Sequence, residues 1–250
     1  MNKVRKILTS KAFIITLLFT VVAFISLIAY KGVGVKDTIS SIAYNKFKNK
    51  DDYTVYVKED GKYIPFLVID NGYVSGSTLL LRESVLDEFR RMNDYSSYYK
   101  DSEIDRFLNS EYYNSLKEIH YAIKSTSVEI TKEEAVGFSY DETEYIDRYV
   151  FLLSRKVLDY DFENEGKKLD YFYKTKNRIS HYYGAPMSWL LRTPAIGYFS
   201  AVLAVTDDGG VSIGNSFSLY GIRPAFCVDS SAKIKKKEGI VYGKEVYVLE

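Results

Sequence analysis

Acidic-glycine turn signals set the style in which this chain folds. Glu59-Asp60-Gly61-Lys62 separates an alternating run at 53–57 from another at 63–69. Asp70-Asn71-Gly72 ends the second run, and residues 73–74 and 78–81 continue the pattern. Asp207-Asp208-Gly209-Gly210 divides a run at 201–206 from its return at 211–213. Alternation broken by Asp-Gly or Asn-Gly is the signature of hairpin-linked antiparallel strands. Further β runs are expected at 149–153, 222–228 and 240–249.

Between these runs the spacing turns helical. Val85, Leu86 and Phe89 predict a helix over 84–91. Asp101 or Ser102 predicts a cap for a helix through Ile104, Phe107 and Leu108, extended by Tyr112, Tyr113, Leu116 and Ile119. Thr131-Lys132-Glu133-Glu134 matches the capping-box pattern and predicts a short helix near Ala135. Residues 154–159 predict another helical turn, and 169–180 a polar, aromatic helix or loop. Strands at both ends with helices between them predict an α+β domain. The Lys233–Lys237 run reads as a solvated turn.

A different constraint sits at the amino terminus. Residues 12–30 (AFIITLLFTVVAFISLIAY) carry no charge and are long enough for a helix to cross a bilayer. Lys3, Arg5, Lys6 and Lys11 precede them, which favours a cytoplasmic amino terminus. The expected layout is a cytoplasmic tail at 1–11, a transmembrane anchor at 12–30, a stalk at 31–50 and an extracytoplasmic domain at 51–250. A cleaved signal peptide is the competing reading, but Leu27 stands where a small residue is wanted. On the favoured reading the protein is a single-pass protein of the cell membrane, with residues 12–30 in contact with lipid.

Charge agrees with such a split. The whole chain has 34 basic and 33 acidic residues, net +1. Residues 1–50 hold nine basic side chains and one acid, while 51–250 hold 25 and 32. That balance argues against a nucleic-acid partner. One cysteine, Cys227, excludes an intramolecular disulfide framework and a multi-cysteine metal site. Two histidines leave little for a histidine metal centre, and no catalytic, nucleotide-binding or metal motif is present. No metal and no cofactor is expected. The 24 tyrosines suit β surfaces and binding faces, although an AT-rich genome would produce the same excess.

Several segments resemble a family of bacterial and phage modules, the domain of unknown function DUF6273. Ser188-Trp189-Leu190-Leu191-Arg192-Thr193-Pro194 is similar to its W-L-R-S-P segment, and Gly221-Ile222-Arg223-Pro224-Ala225-Phe226 to its closing G-V-R-P-A strand. Ala201-Val202 with Asp208-Gly209 to Val211 is similar to its A-x-x-V … D-G-x-V hairpin. Ile104 to Asn109 with Tyr112-Tyr113-Asn114 is similar to its L-R-x-W-L-N … F-Y-N helix, and Phe151-Leu152-Leu153-Ser154 to its F-L-L-S strand. The order holds over roughly residues 60–230. Ser188 and Phe107 stand where the family has other aromatics. The G-I-R-P-A strand is also similar to the G-F-R segment of the C-type-lectin-like fold, which includes formylglycine-generating enzymes. That second resemblance implies termini close together and a loop-rich ligand face. The paired copper-binding cysteines of those enzymes are missing here.

These readings give a membrane-anchored, extracytoplasmic module that binds a ligand or partner and has no catalytic activity. A cell-wall component, a glycan or a protein is the expected ligand. The contact residues expected are Trp189, Arg192, Tyr198, Asn215 and Phe217. Trp189 and Arg223 are also read as structural, with Trp189 in the core, Arg192 bracing loop carbonyls and Arg223 paired with an internal acid such as Asp70 or Asp229. Two alternatives stay open. One is a cell-envelope hydrolase using Asp141, Glu144 or Asp147, and the other is a structural subunit of an envelope complex.

Overall fold

The computed structural model describes residues 37–158 and 164–249. Its strands are β1 (Thr54–Glu59), β2 (Lys62–Asn71), β3 (Ser77–Arg82), β4 (Ile123–Lys124), β5 (Thr126–Thr131), β6 (Thr143–Arg148) and β7 (Val150–Phe151). They continue as β8 (Ser180–Tyr182), β9 (Ala185–Met187), β10 (Trp189–Pro194), β11 (Ala201–Val205), β12 (Val211–Asn215), β13 (Ala225–Asp229), β14 (Ile234–Val241) and β15 (Lys244–Leu249). One curled sheet runs β14-β15-β1-β2-β3-β13-β4, with β7 also on β13. The β1–β15 pair is parallel and every other pair in that sheet is antiparallel. A second sheet, β10-β11-β12, and the ribbons β5-β6 and β8-β9 complete the described strands.

The turns form as their residues dictate. Asp60 and Gly61 both adopt positive φ, at 49° and 76°, so β1 and β2 join through a tight two-residue turn. β3 and β13 are paired on both edges, and their side chains are buried almost throughout. Burial along the whole strand marks them as covered on both faces.

The α+β expectation, in its C-type-lectin-like form, is corrected: the described chain is mostly β. Residues 84–91 are not a helix, because their amides bond outward. Val85 N–H donates to His181 O, Leu86 N–H to Ile222 O and Arg90 N–H to Tyr220 O. The capping box at Thr131 does not form. Thr131 ends β5 and gives both its amide and its hydroxyl to Glu165, leaving a single 3-10 turn at Glu133–Ala135. Residues 73–74 are a turn rather than strand. Lysines 235–237 are solvated as expected but lie on β14.

Among the described residues the one sustained helical stretch is short. α1 (Glu103–Phe107) is capped by the Ser102 hydroxyl, which accepts from Asp105 N–H at 3.2 Å. A π turn (Leu108–Tyr112) and α2 (Tyr113–Ser115) follow. The π turn sets Asn109 against β7, where its carboxamide accepts from Tyr149 and Val150 N–H and donates to Val150 O. Asp105, almost fully buried, accepts from Arg148 Nε and Nη2 at 2.7–2.9 Å.

Residues 37–50 do not stand away as a stalk. Ile39 and Ile42 are fully buried, Ile39 N–H donates to Ala232 O, and Tyr44 N–H donates to Val68 O. The compact unit begins at Asp37. The uncharged run 12–30, with the tail and anchor assigned around it, lies outside the described residues. Among the described residues no helix is long and apolar enough to cross a membrane. The single-pass membrane placement is corrected accordingly, since no described helix supports it.

The Asp105–Arg148 pair yields a stability prediction. Asp105→Ala leaves a mostly buried guanidinium with only the exposed Asp101 carboxylate as ion-pair partner and should cost about 3 kcal/mol. Urea unfolding followed by tyrosine fluorescence measures it, and a change below about 1 kcal/mol would show the pair to be dispensable.

Candidate functional site

The W-L-L-R and G-I-R-P-A segments meet. Trp189 and Gly221 form a parallel bridge, Leu190 N–H donates to Gly221 O, and Gly221 N–H donates to Ser188 O. A Cβ on Gly221 would stand 2.7 Å from Ser188 O and 2.8 Å from Val85 Cγ1, so only glycine fits. This contact places the Trp189 ring 5.3 Å from the Arg223 guanidinium carbon. Trp189 is fully buried, and its indole N–H donates to Arg178 O.

Arg223 is the central observation. It is 1% exposed, its Nε donates to Arg82 O at 2.9 Å, and its Nη1 is buried with no hydrogen-bond partner. Neither of the expected acids is there, although Glu83 on the same lining acts on the guanidinium through space. Asp70 pairs with Lys167 and Asp229 with Lys124. Burial pulls the Arg223 guanidinium below its ordinary range, and the facing Tyr171 hydroxyl offsets part of that.

Arg223 lines a cleft of about 380 Å³. Tyr44, Tyr53 and Tyr171 form one side, packed edge to face with centroids 5.1–6.0 Å apart. Arg178 holds the turn that carries Tyr171 by donating to Phe172 O and Leu158 O. Burial pushes the Tyr53 and Tyr171 phenols upward, so both stay protonated donors at neutral pH. Five lysines line the cleft, from 46–50 and 174–176. Lys50 pairs with Glu83, the one acid among the lining residues, and Lys48 donates to Ala43 O. Lys46, Lys174 and Lys176 make no ion pair among the described residues. The local charge is therefore strongly positive.

Arg192 lies elsewhere and is also fully buried. Its Nε, Nη1 and Nη2 donate to the carbonyls of Glu129, Leu152 and Glu165 at 2.7–3.1 Å. Glu165 is buried beside it at a φ of 67°, its carboxylate taking the Thr131 amide and the hydroxyls of Thr131 and Thr193. Burial pushes its carboxyl upward against the pull of Arg192 and these donors. The network ties β5, the segment after β7, and β10 together, and every Arg192 nitrogen is spent on backbone.

The remaining expected contact residues form a separate group. Tyr198 is 77% exposed and Phe217 54%. Their loops are held together by Ser216 N–H donating to Ser200 O, while Asn215 N–H donates to the Tyr220 hydroxyl. Phe138 and Ile196 are exposed on the neighbouring loops, which are joined by the Gly197–Gly137 backbone bond. The five expected residues are therefore divided: Trp189 and Arg192 are interior, and Tyr198, Asn215 and Phe217 are on a loop face.

The acids of the hydrolase alternative are not gathered. Glu144 and Asp147 are three residues apart on β6 and so face opposite sides. Asp141 lies in the bend before that strand. Glu144 accepts from the Tyr98 hydroxyl and from Lys100, and the Tyr98 bond pulls its carboxyl below the usual range. An ionised, paired carboxylate is a poor general acid. Among the described residues no three His, Cys, Asp or Glu side chains are placed to hold a metal. Cys227 is buried, and burial pushes its thiol up to about 11.

Arg192→Lys should destabilise the fold by about 3 kcal/mol, because one ammonium cannot serve three carbonyls on different segments. Since Arg192 does not line the cleft, the variant should keep whatever ligand affinity the wild type has. A loss of affinity with an unchanged urea midpoint would place Arg192 in the site instead.

Comparison with known proteins adds one match. No curated protein matches the chain, and no solved structure does, so the lectin-like relationship has no structural counterpart. A family model described as a domain of unknown function matches residues 75–230, a stretch that contains β3 through β13 and both segments that meet at Gly221. On that match the chain belongs to the DUF6273 family.

Proposed function

We propose that this protein is a ligand-binding module without catalytic activity, and that its ligand is an anion held in the cleft lined by Arg223. The supporting observation is a buried guanidinium with no carboxylate in ion-pair contact and an unpaired Nη1. Leaving a buried charge uncompensated is costly, and a bound oxyanion removes that cost. The lysines around it raise the local anion concentration. Of a cell-wall component, a glycan or a protein, the cleft favours one that presents negative charge. Its titratable groups include five lysines, Arg223, His181, the raised Tyr53 and Tyr171 phenols and one acid tied to Lys50, a set suited to holding negative charge.

Inorganic phosphate is the direct probe. Thermal unfolding of the full chain should shift upward with phosphate relative to sodium chloride at equal ionic strength. The gain approaches about 2.7 kcal/mol at a hundred times the dissociation constant. Arg223→Gln should abolish the shift. An identical response to the two salts in the wild type would sink the reading.

A further inference from the structure

Resting on that anion-binding reading, we propose that the ligand carries two or more linked phosphate groups. One phosphate sits at Arg223 and the next ones sit among the lysines of 46–50 and 174–176.

Three observations carry this beyond a single oxyanion. The first is charge. Six cationic side chains line the cleft against one acid, and that acid is already paired with Lys50. A single phosphate brings roughly two negative charges at neutral pH, which leaves most of the lysine charge unanswered. Lys46, Lys174 and Lys176 in particular have no ion pair among the described residues. The second is room. The cleft's volume of about 380 Å³ is the share of about a dozen waters at roughly 30 Å³ each. One phosphate would occupy a small part of it.

The third is the chemistry of the lining. Arg223 offers a planar fork suited to one terminal oxyanion, whereas the lysines are separate point charges on long stems. That combination fits a chain of charged groups better than one compact ion. The tyrosine rings pack against one another edge to face, and burial keeps the Tyr53 and Tyr171 phenols as donors. They offer hydroxyls to phosphate oxygens rather than a free ring face to a base. The recognised element is thus the phosphate chain itself, whether free or carried on a larger molecule.

Calorimetric titration of the full chain at fixed ionic strength tests this with orthophosphate, pyrophosphate, tripolyphosphate, adenosine triphosphate and citrate. Tripolyphosphate should bind at least about tenfold tighter than orthophosphate, with pyrophosphate between them. Adenosine triphosphate should bind no tighter than tripolyphosphate. The double variant Lys174→Ser, Lys176→Ser removes exposed charge only. It should lower tripolyphosphate affinity about tenfold while changing orthophosphate affinity less than about twofold, and it should steepen no part of the urea curve. Equal affinity for orthophosphate and tripolyphosphate would overturn the linked-phosphate proposal and leave the anion site standing. Citrate binding as tightly as tripolyphosphate would overturn it too, since charge alone would then be read. Binding of adenosine triphosphate far tighter than tripolyphosphate would show that a base is recognised and overturn the assignment to the chain. No binding of any of the five would remove the anion site itself.

Discussion

The approach of Gly221 to the Ser188 carbonyl organises more of this molecule than any single ion pair. With 2.7 Å left for a Cβ, the two backbones come as close as only glycine allows, and they hydrogen-bond in both directions there. The chain on one side leads through Trp189 into β10 and on to Arg192. The chain on the other leads through Arg223 into β13, the strand that pairs with β3, β4 and β7. The contact therefore joins the edge of one sheet to the centre of the other. It also sets the indole beneath the Arg223 guanidinium, a stacking arrangement that supports the charge without neutralising it. A guanidinium held by one carbonyl, one aromatic face and the Tyr171 hydroxyl, with Nη1 unpaired, is positioned but not fully satisfied.

The two buried arginines show how the same residue type takes opposite roles. Arg192 gives its nitrogens to three carbonyls from three segments, and an interior carboxylate stands beside it. Nothing remains for a ligand. Arg223 donates from Nε to one backbone carbonyl and lies where the chain leaves a cleft rather than a packed wall. In sequence both read as an arginine between apolar residues near a proline. Only the count of acceptors around each distinguishes a brace from a binding group.

Much of the β framework was readable, because alternation and turn residues are local signals. β1, β2, β11 and β12 follow from Asp60-Gly61 and from Asp208-Gly209, and the runs expected at 78–81 and 222–228 contain most of β3 and β13. The helix at 84–91 and the Thr131 cap were misread, although a short 3-10 helix does form at Glu133–Ala135, because local spacing says nothing about competing partners. Val85 and Leu86 give their amides to distant carbonyls, and Thr131 serves Glu165, 34 residues away, instead of capping. The tertiary bond wins wherever it satisfies a donor that burial would otherwise strand. The cleft was not readable at all. Its lysines come from 46–50 and 174–176, its tyrosines from 44, 53 and 171 beside those segments, and its arginine from just before β13, so no motif spans it. The one available trace was lysine at alternate positions in both segments.

Reassigning residues 37–50 to the folded unit changes what the charge split means. By sequence, Lys46, Lys48 and Lys50 count toward a basic end that precedes an acidic domain. In the structure, the burial of Ile39 and Ile42 draws that segment against the sheet, and its lysines become one wall of the Arg223 cleft. The cleft then gathers cations in a unit whose residues 51–250 are on balance acidic. Such a cleft draws an anion toward itself, because a low-dielectric wall concentrates the field of the charges that line it. The apolar pair at 39 and 42 thereby acts on binding at a distance: it holds no ligand, but without its burial the lysines of 46–50 would not face Arg223.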